Sequence, residues 1–102
     1  YPPFAALTRV VLQAEDLDQA REAAETLARA ARSEIPDGAR IELLGPAPAP
    51  IAKLRGRYRF MLLLKGDDDA LIRRVSRAIL KASKQLPRAV QTALDARPVN
   101  ML

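Results

Sequence analysis

A chain of 102 residues has room for one hydrophobic core and is one domain on length alone. It contains neither cysteine nor histidine, which removes thiol nucleophiles, disulfides, the usual zinc sets and any imidazole base. Its net charge of +5 is unevenly placed: residues 1–52 carry five basic and eight acidic groups, residues 53–102 twelve and four, so the electropositive second half favours a polyanionic partner, nucleic acid ahead of a membrane surface.

Tyr1-Pro2-Pro3-Phe4 cannot be helical at its prolines and reads as an extended lead-in, its two aromatics packing on a neighbouring surface or, alternatively, stacking on bases. Ala6 to Ala14, rich in Val and Leu with Thr8, Arg9 and Gln13 interspersed, is predicted as a strand buried on one face and partly covered on the other. Asp16 or Asp18 then caps a helix predicted over 17–34, whose apolar face is Leu17, Ala20, Ala24, Leu27 and Ala31. Pro36-Asp37-Gly38 ends it.

Ile41 to Leu44 is predicted as a short strand stopped by Gly45-Pro46. Pro46, Pro48 and Pro50 make the following segment a stiff spacer that, at the ~3.1 Å rise of polyproline II, carries the chain roughly 15 Å. The spacer leads into a basic loop tip. Lys53, Arg55, Arg57 and Arg59 fall at every second position, so in an extended segment they point the same way and line up on phosphates, with Lys65 farther on. Gly56 lets the chain turn or a ligand approach.

Arg57 to Lys65 is predicted as the third strand. Tyr58, Phe60, Leu62 and Leu64 form its core face, while Arg57, Arg59, Met61, Leu63 and Lys65 share the other. That second face is basic at its ends and apolar in its middle, so Met61 and Leu63 are candidates for docking on another domain. Asp67-Asp68-Asp69 reads as a solvated helix start rather than a metal site, since no other ligand cluster accompanies it. The helix is predicted over 70–86, with Leu71, Ile72, Val75, Ile79, Ala82 and Leu86 on its apolar arc. Arg73, Arg74, Arg77, Lys81, Lys84 and Arg88 form an opposite, second basic surface, which is either another polyanion contact or a solubilising face. Pro87 ends this helix, and Ala89 to Ala96 is predicted as the last strand, closed by Pro98.

The order β-α-β-β-α-β with a central hairpin fits an α+β, ferredoxin-like split βαβ plait. Its antiparallel four-stranded sheet has the expected order 4-1-3-2, with both helices on one face. The proline spacer and basic tip would form a long loop projecting from one end. No phosphate-binding glycine loop or catalytic triad is present, so the chain is read as non-enzymatic, without ATP binding. The first residue is Tyr rather than Met, and the chain is read as a single domain from a longer protein. No apolar run approaches the ~20 residues needed to span a bilayer and no signal peptide opens the chain, so a cytoplasmic location without membrane contact is expected.

Gly-Pro-Ala-Pro-Ala-Pro followed by Leu-Arg-Gly-Arg-Tyr-Arg, together with the opening Tyr-Pro-Pro-Phe, resembles the C-terminal domain of bacterial primosomal protein N′, a replication-restart helicase. The resemblance covers essentially the whole chain. It implies the same plait, with likeness to a small-subunit ribosomal protein, in a module that contacts forked or single-stranded DNA. It further implies a parent that is an ATP-dependent 3′ to 5′ helicase using magnesium and zinc, none of whose motor lobes or zinc insert lies in this chain. Partners implied are DNA, the helicase core of the same parent and other primosome proteins. Two alternatives stand beside this: a structural domain docked on the core without DNA contact, and a ribosomal-type RNA binder. The family usually ends its last strand Asp-Val-Asp-Pro, whereas this chain has Asp95-Ala96-Arg97-Pro98, so any role of the second acid does not carry over.

Overall fold

A computed structural model describes residues 6–98 of the chain. The lead-in Tyr1 to Phe4 and the closing residues from Val99 lie outside the described residues. Six elements follow in order: β1 (Ala6–Ala14), α1 (Leu17–Ser33), β2 (Ile41–Leu54), β3 (Arg57–Gly66), α2 (Asp69–Ser83) and β4 (Gln91–Pro98). All strand pairs are antiparallel, in the order β2-β3-β1-β4, which is the expected ferredoxin-like order read from the other edge.

Local chemistry sets the helix starts. Asp16 accepts a hydrogen bond from the Gln19 amide at 2.9 Å and Asp68 from the Leu71 amide at 3.1 Å, each satisfying a donor with no partner inside its helix. The core lies between the helices and one face of the sheet. Val10, Leu12, Leu62 and Leu64 are fully buried there, with Phe60 close behind, under an α1 face built largely of alanine that lets the helix sit close to the strands. Ile72, Val75 and Ile79 supply the α2 contribution, and Leu86 still packs against the core although the helix has already ended at Ser83. Leu17, expected on the apolar face of α1, is instead partly exposed at the helix's first position. The last strand begins two residues later than expected, because Val90 donates to the Pro87 carbonyl in a turn.

One buried contact is polar. Thr8 and Ser76 are both buried, with their hydroxyls 2.9 Å apart between β1 and α2. Ser76→Ala would leave the Thr8 hydroxyl shut from water without its partner, and is expected to cost about 1–3 kcal/mol in urea unfolding. Adding Thr8→Val should recover most of that loss, since removing both partners is close to neutral. A double variant as unstable as Ser76→Ala alone would show that packing, not the hydrogen bond, sets the effect.

The largest departure from the sequence reading is β2. It does not stop at Gly45-Pro46 but continues through all three prolines to Leu54, paired with β3. An edge strand can do this because only one of its sides must donate to a neighbour. The surplus length is taken up sideways. One extra residue enters the ladder between Leu44 and Ala47 and three more between Pro48 and Lys53, so the segment bulges along the edge instead of forming a projecting spacer. Arg55 (φ 53°) and Gly56 (φ 78°) then close a two-residue turn with Leu54 opposite Arg57. Two successive positive φ values are what a primed hairpin turn requires. Tyr58 pairs with Ala14 at the end of β1, so only the turn and its flanking residues overhang the sheet.

Candidate nucleic-acid interface

The turn divides the four basic residues expected to align. Lys53 stands opposite Tyr58 and its Nζ lies 4.8 Å from the centre of the Tyr58 ring, on the helix-bearing side. Arg57 and Arg59 belong to the other face of β3, and Arg55 occupies the turn itself, exposed to solvent. A single extended row is therefore replaced by a basic cap wrapped around a hairpin tip. Within it, Arg57 is half-buried and its Nη1 is shut from solvent with no hydrogen-bond partner. Arg59 donates through Nη1 to the Ile51 carbonyl at 3.0 Å. Lys65 is not brought to the tip: it sits at the other end of β3, between Glu42 and Leu7 in the register, roughly 25 Å away at the usual rise of a strand.

The α2 stripe is also modified by the structure. Arg73 is paired with Asp69 one turn back, and Arg74 lies 3.5 Å from Glu34, so carboxylates do interrupt its first half. Arg77, Lys81 and Lys84 remain exposed, with Arg88 just beyond the helix. Topology decides where they lie. Because β3 runs from the tip to Gly66 and α2 runs back along the sheet, the C-terminal half of α2 returns to the end where the β2–β3 turn is. β4 starts at that end too, with Gln91 hydrogen-bonded to Gln13 at 2.8 Å. Two basic surfaces that are separate in the sequence thus lie towards the same end of the molecule. The acidic start of α1 shares this end: Asp18 is paired with Arg21 and Asp16 is engaged as a helix cap, while Glu15 and Glu22 are exposed. The three consecutive aspartates lie at the opposite end, each answered locally: Asp67 by Arg40 at 3.3 Å, Asp68 by the Leu71 amide and Asp69 by Arg73.

Met61 and Leu63 lie half-buried on the sheet face that carries no helix. The register places Ala47, Met61, Val11 and Ala93 in one apolar row across all four strands, and Leu44 beside Leu63 in the next. Arg9 and Arg59 flank this row. No aromatic residue of the described strands lies on this face. Arg97 stands opposite Leu7 in the β1–β4 register.

The fold defines the class: a small α+β ferredoxin-like plait with one sheet face free of helices. The family model described as "Primosomal protein N C-terminal domain" matches residues 1–99, and the chain belongs to that family. Among its relatives, Replication restart protein PriA of Treponema pallidum is 31% identical over 102 residues, covering 100% of this chain and 15% of that protein. The Probable replication restart protein PriA of Deinococcus radiodurans is 41% identical over 70 residues, covering 69% of this chain and 7% of that protein. The Bacillus subtilis Replication restart protein PriA is 28% identical over 104 residues, 100% of this chain and 13% of that protein. The chain therefore spans a small part, 7–15%, of the length of these relatives. Among solved structures, the de novo designed protein Foldit4 superposes with a TM-score of 0.69 at 14% identity, covering 93% of this chain and 98% of that one. A hydantoinase/carbamoylase family amidase from Burkholderia ambifaria gives 0.60 at 21% identity, over 91% and 27%. At such identities these likenesses concern the fold alone.

Proposed function

We propose that this chain is the DNA-binding, non-catalytic module of a replication restart protein, contacting forked or single-stranded DNA through its basic end. The observation that carries this reading is that Lys53, Arg55 and Arg57 at the hairpin tip lie towards the same end of the molecule as Lys81, Lys84 and Arg88 near the end of α2. A phosphate backbone can be tracked by such a cap with little base preference. Helicase chemistry, ATP with magnesium, and zinc belong in this reading to the parent protein's other domains. The test is a titration of the chain against forked, single-stranded and duplex DNA, and against structured RNA, at several salt concentrations. A log–log salt dependence with tighter binding to forked or single-stranded DNA is expected. Preference for structured RNA would turn the reading towards a ribosomal-type binder, and no binding at low salt would leave a purely structural domain.

A second reading concerns the open sheet face, and its motive is the apolar row centred on Met61 and Val11. This face docks on the rest of the parent polypeptide, most of which lies outside the 7–15% that the chain spans in its relatives. Met61→Glu combined with Leu63→Glu should change the stability of the isolated chain by no more than about 1 kcal/mol, since both residues are only half-buried. In the full-length protein the same pair should speed proteolytic release of the domain about tenfold or more. Release at the unaltered rate would refute the docking.

A further inference from the structure

Between Pro48 opposite Phe60 and Lys53 opposite Tyr58, four residues of β2, 49–52, face Arg59 alone. They have lost their ladder partners just before the basic tip. Pro46, Pro48 and Pro50 carry no amide hydrogen, so this part of the chain has few donors with which to anchor itself and must be held through its carbonyls. One donor comes from Arg59, whose Nη1 lies 3.0 Å from the Ile51 oxygen. At the earlier irregularity, Arg32 of α1 reaches the Gly45 carbonyl with Nη2 at 3.4 Å, a longer bond of the same kind. Each register shift in β2 therefore has a carbonyl held by an arginine from a neighbouring element. Arg59 is well placed for this, because its own backbone is fixed opposite Gln13 of β1, a central strand.

We propose that Arg59 is a positioning residue rather than a phosphate contact: it clasps the Ile51 carbonyl, fixes the bulged half of β2, and so sets the place of Lys53 and Arg55 at the tip. The proposal rests on the reading of that tip as the phosphate-contacting surface. A guanidinium suits the task better than an ammonium, since its planar fork presents donors in fixed directions and gives a charge-assisted bond to a lone carbonyl.

The experiment uses Arg59→Gln and Arg59→Lys in this chain, read by amide hydrogen exchange and by DNA titration against salt. Arg59→Gln is expected to speed exchange of the amides within residues 47–54 about tenfold or more, while the amides of β1 keep their protection. Affinity for single-stranded DNA should fall about fivefold with the log–log salt slope unchanged, because no phosphate contact is lost. Arg59→Lys keeps the charge and a donor, and should give exchange between the two; it serves in place of Arg59→Gln if that variant does not fold. Unchanged exchange in 47–54 overturns the proposal. So does a slope reduced by roughly 0.7 to 0.9, the signature of one lost phosphate contact. If the unaltered chain binds no DNA, the functional reading fails while the exchange data still decide whether Arg59 holds β2.

Discussion

Gly45→Ala is expected to destabilise the chain by about 3–5 kcal/mol, a large share of the ~5–15 kcal/mol that holds a domain of this size together. Two separate costs add at this position. Gly45 has φ +99°, a conformation that side-chain-bearing residues rarely adopt, and a Cβ built there would lie 2.6 Å from the Met61 carbonyl oxygen and 3.2 Å from the Ala47 nitrogen. The nearest obstacles are backbone atoms of the ladder, which cannot swing away as a flexible side chain would. Gly56 provides the control. Its φ of +78° is similarly unusual, but nothing lies within 4 Å of its would-be Cβ, so Gly56→Ala should cost only about 1 kcal/mol. Urea denaturation of both variants measures the difference. Equal losses at the two glycines would show that the close approach of β2 to β3 at Gly45 is not the source of the penalty.

The contrast between these glycines also shows which parts of the molecule are legible in the sequence. The period-two alternation of Tyr58, Phe60, Leu62 and Leu64 identifies the core face of β3 because the face is continuous and ends in a core; Phe60, Leu62 and Leu64 are buried as expected. Helix faces are equally readable where the stripe is long, as at Ile72, Val75 and Ile79. The proline segment is not readable in this way. Local propensity argues against a strand at Pro46, Pro48 and Pro50, and that argument holds only if donors are needed on both sides. Being at the sheet edge is a property of the topology and leaves no mark within the segment itself.

Candidate site residues show the same division. That the tip is basic and turns at Gly56 follows from composition and from glycine's freedom at positive φ. That Lys53 parts company with Arg57 and Arg59 depends on the register across a two-residue turn, and a shift of one residue would reverse every side chain. The pairing of Arg73 with Asp69 was within reach of the sequence, because acid and base stand four apart on one helix. The pairing of Arg74 with Glu34 was not, since it joins the two helices across forty residues. Thr8 looked like a polar residue on a half-covered strand, and only its partner Ser76 explains why it can be buried.

Replacing Lys53, Arg55 and Arg57 together with alanine is expected to weaken binding to single-stranded DNA on the order of 100-fold at ~0.1 M salt and to flatten the log–log salt dependence by about 2 to 3, if each of the three meets a phosphate. The stability of the chain should change little. Loss of the Lys53–Tyr58 contact costs about 0.5–1 kcal/mol at an exposed site, and removal of Arg57 relieves a guanidinium nitrogen that is buried without a partner. Arg55 sits in solvent at positive φ and has no packing to lose. A companion variant neutralises Arg77, Lys81 and Lys84, the residues of the α2 stripe outside the ion pairs with Asp69 and Glu34, and leaves Arg73 and Arg74 with their carboxylates. Because the topology brings Lys81 and Lys84 to the same end as the tip, this variant should lose a smaller part of the slope, about 1 to 2 if one or two of its charges reach the same strand. Full binding by the tip variant, with affinity and slope both retained while the α2 variant loses them, would move the interface from the hairpin to the helix.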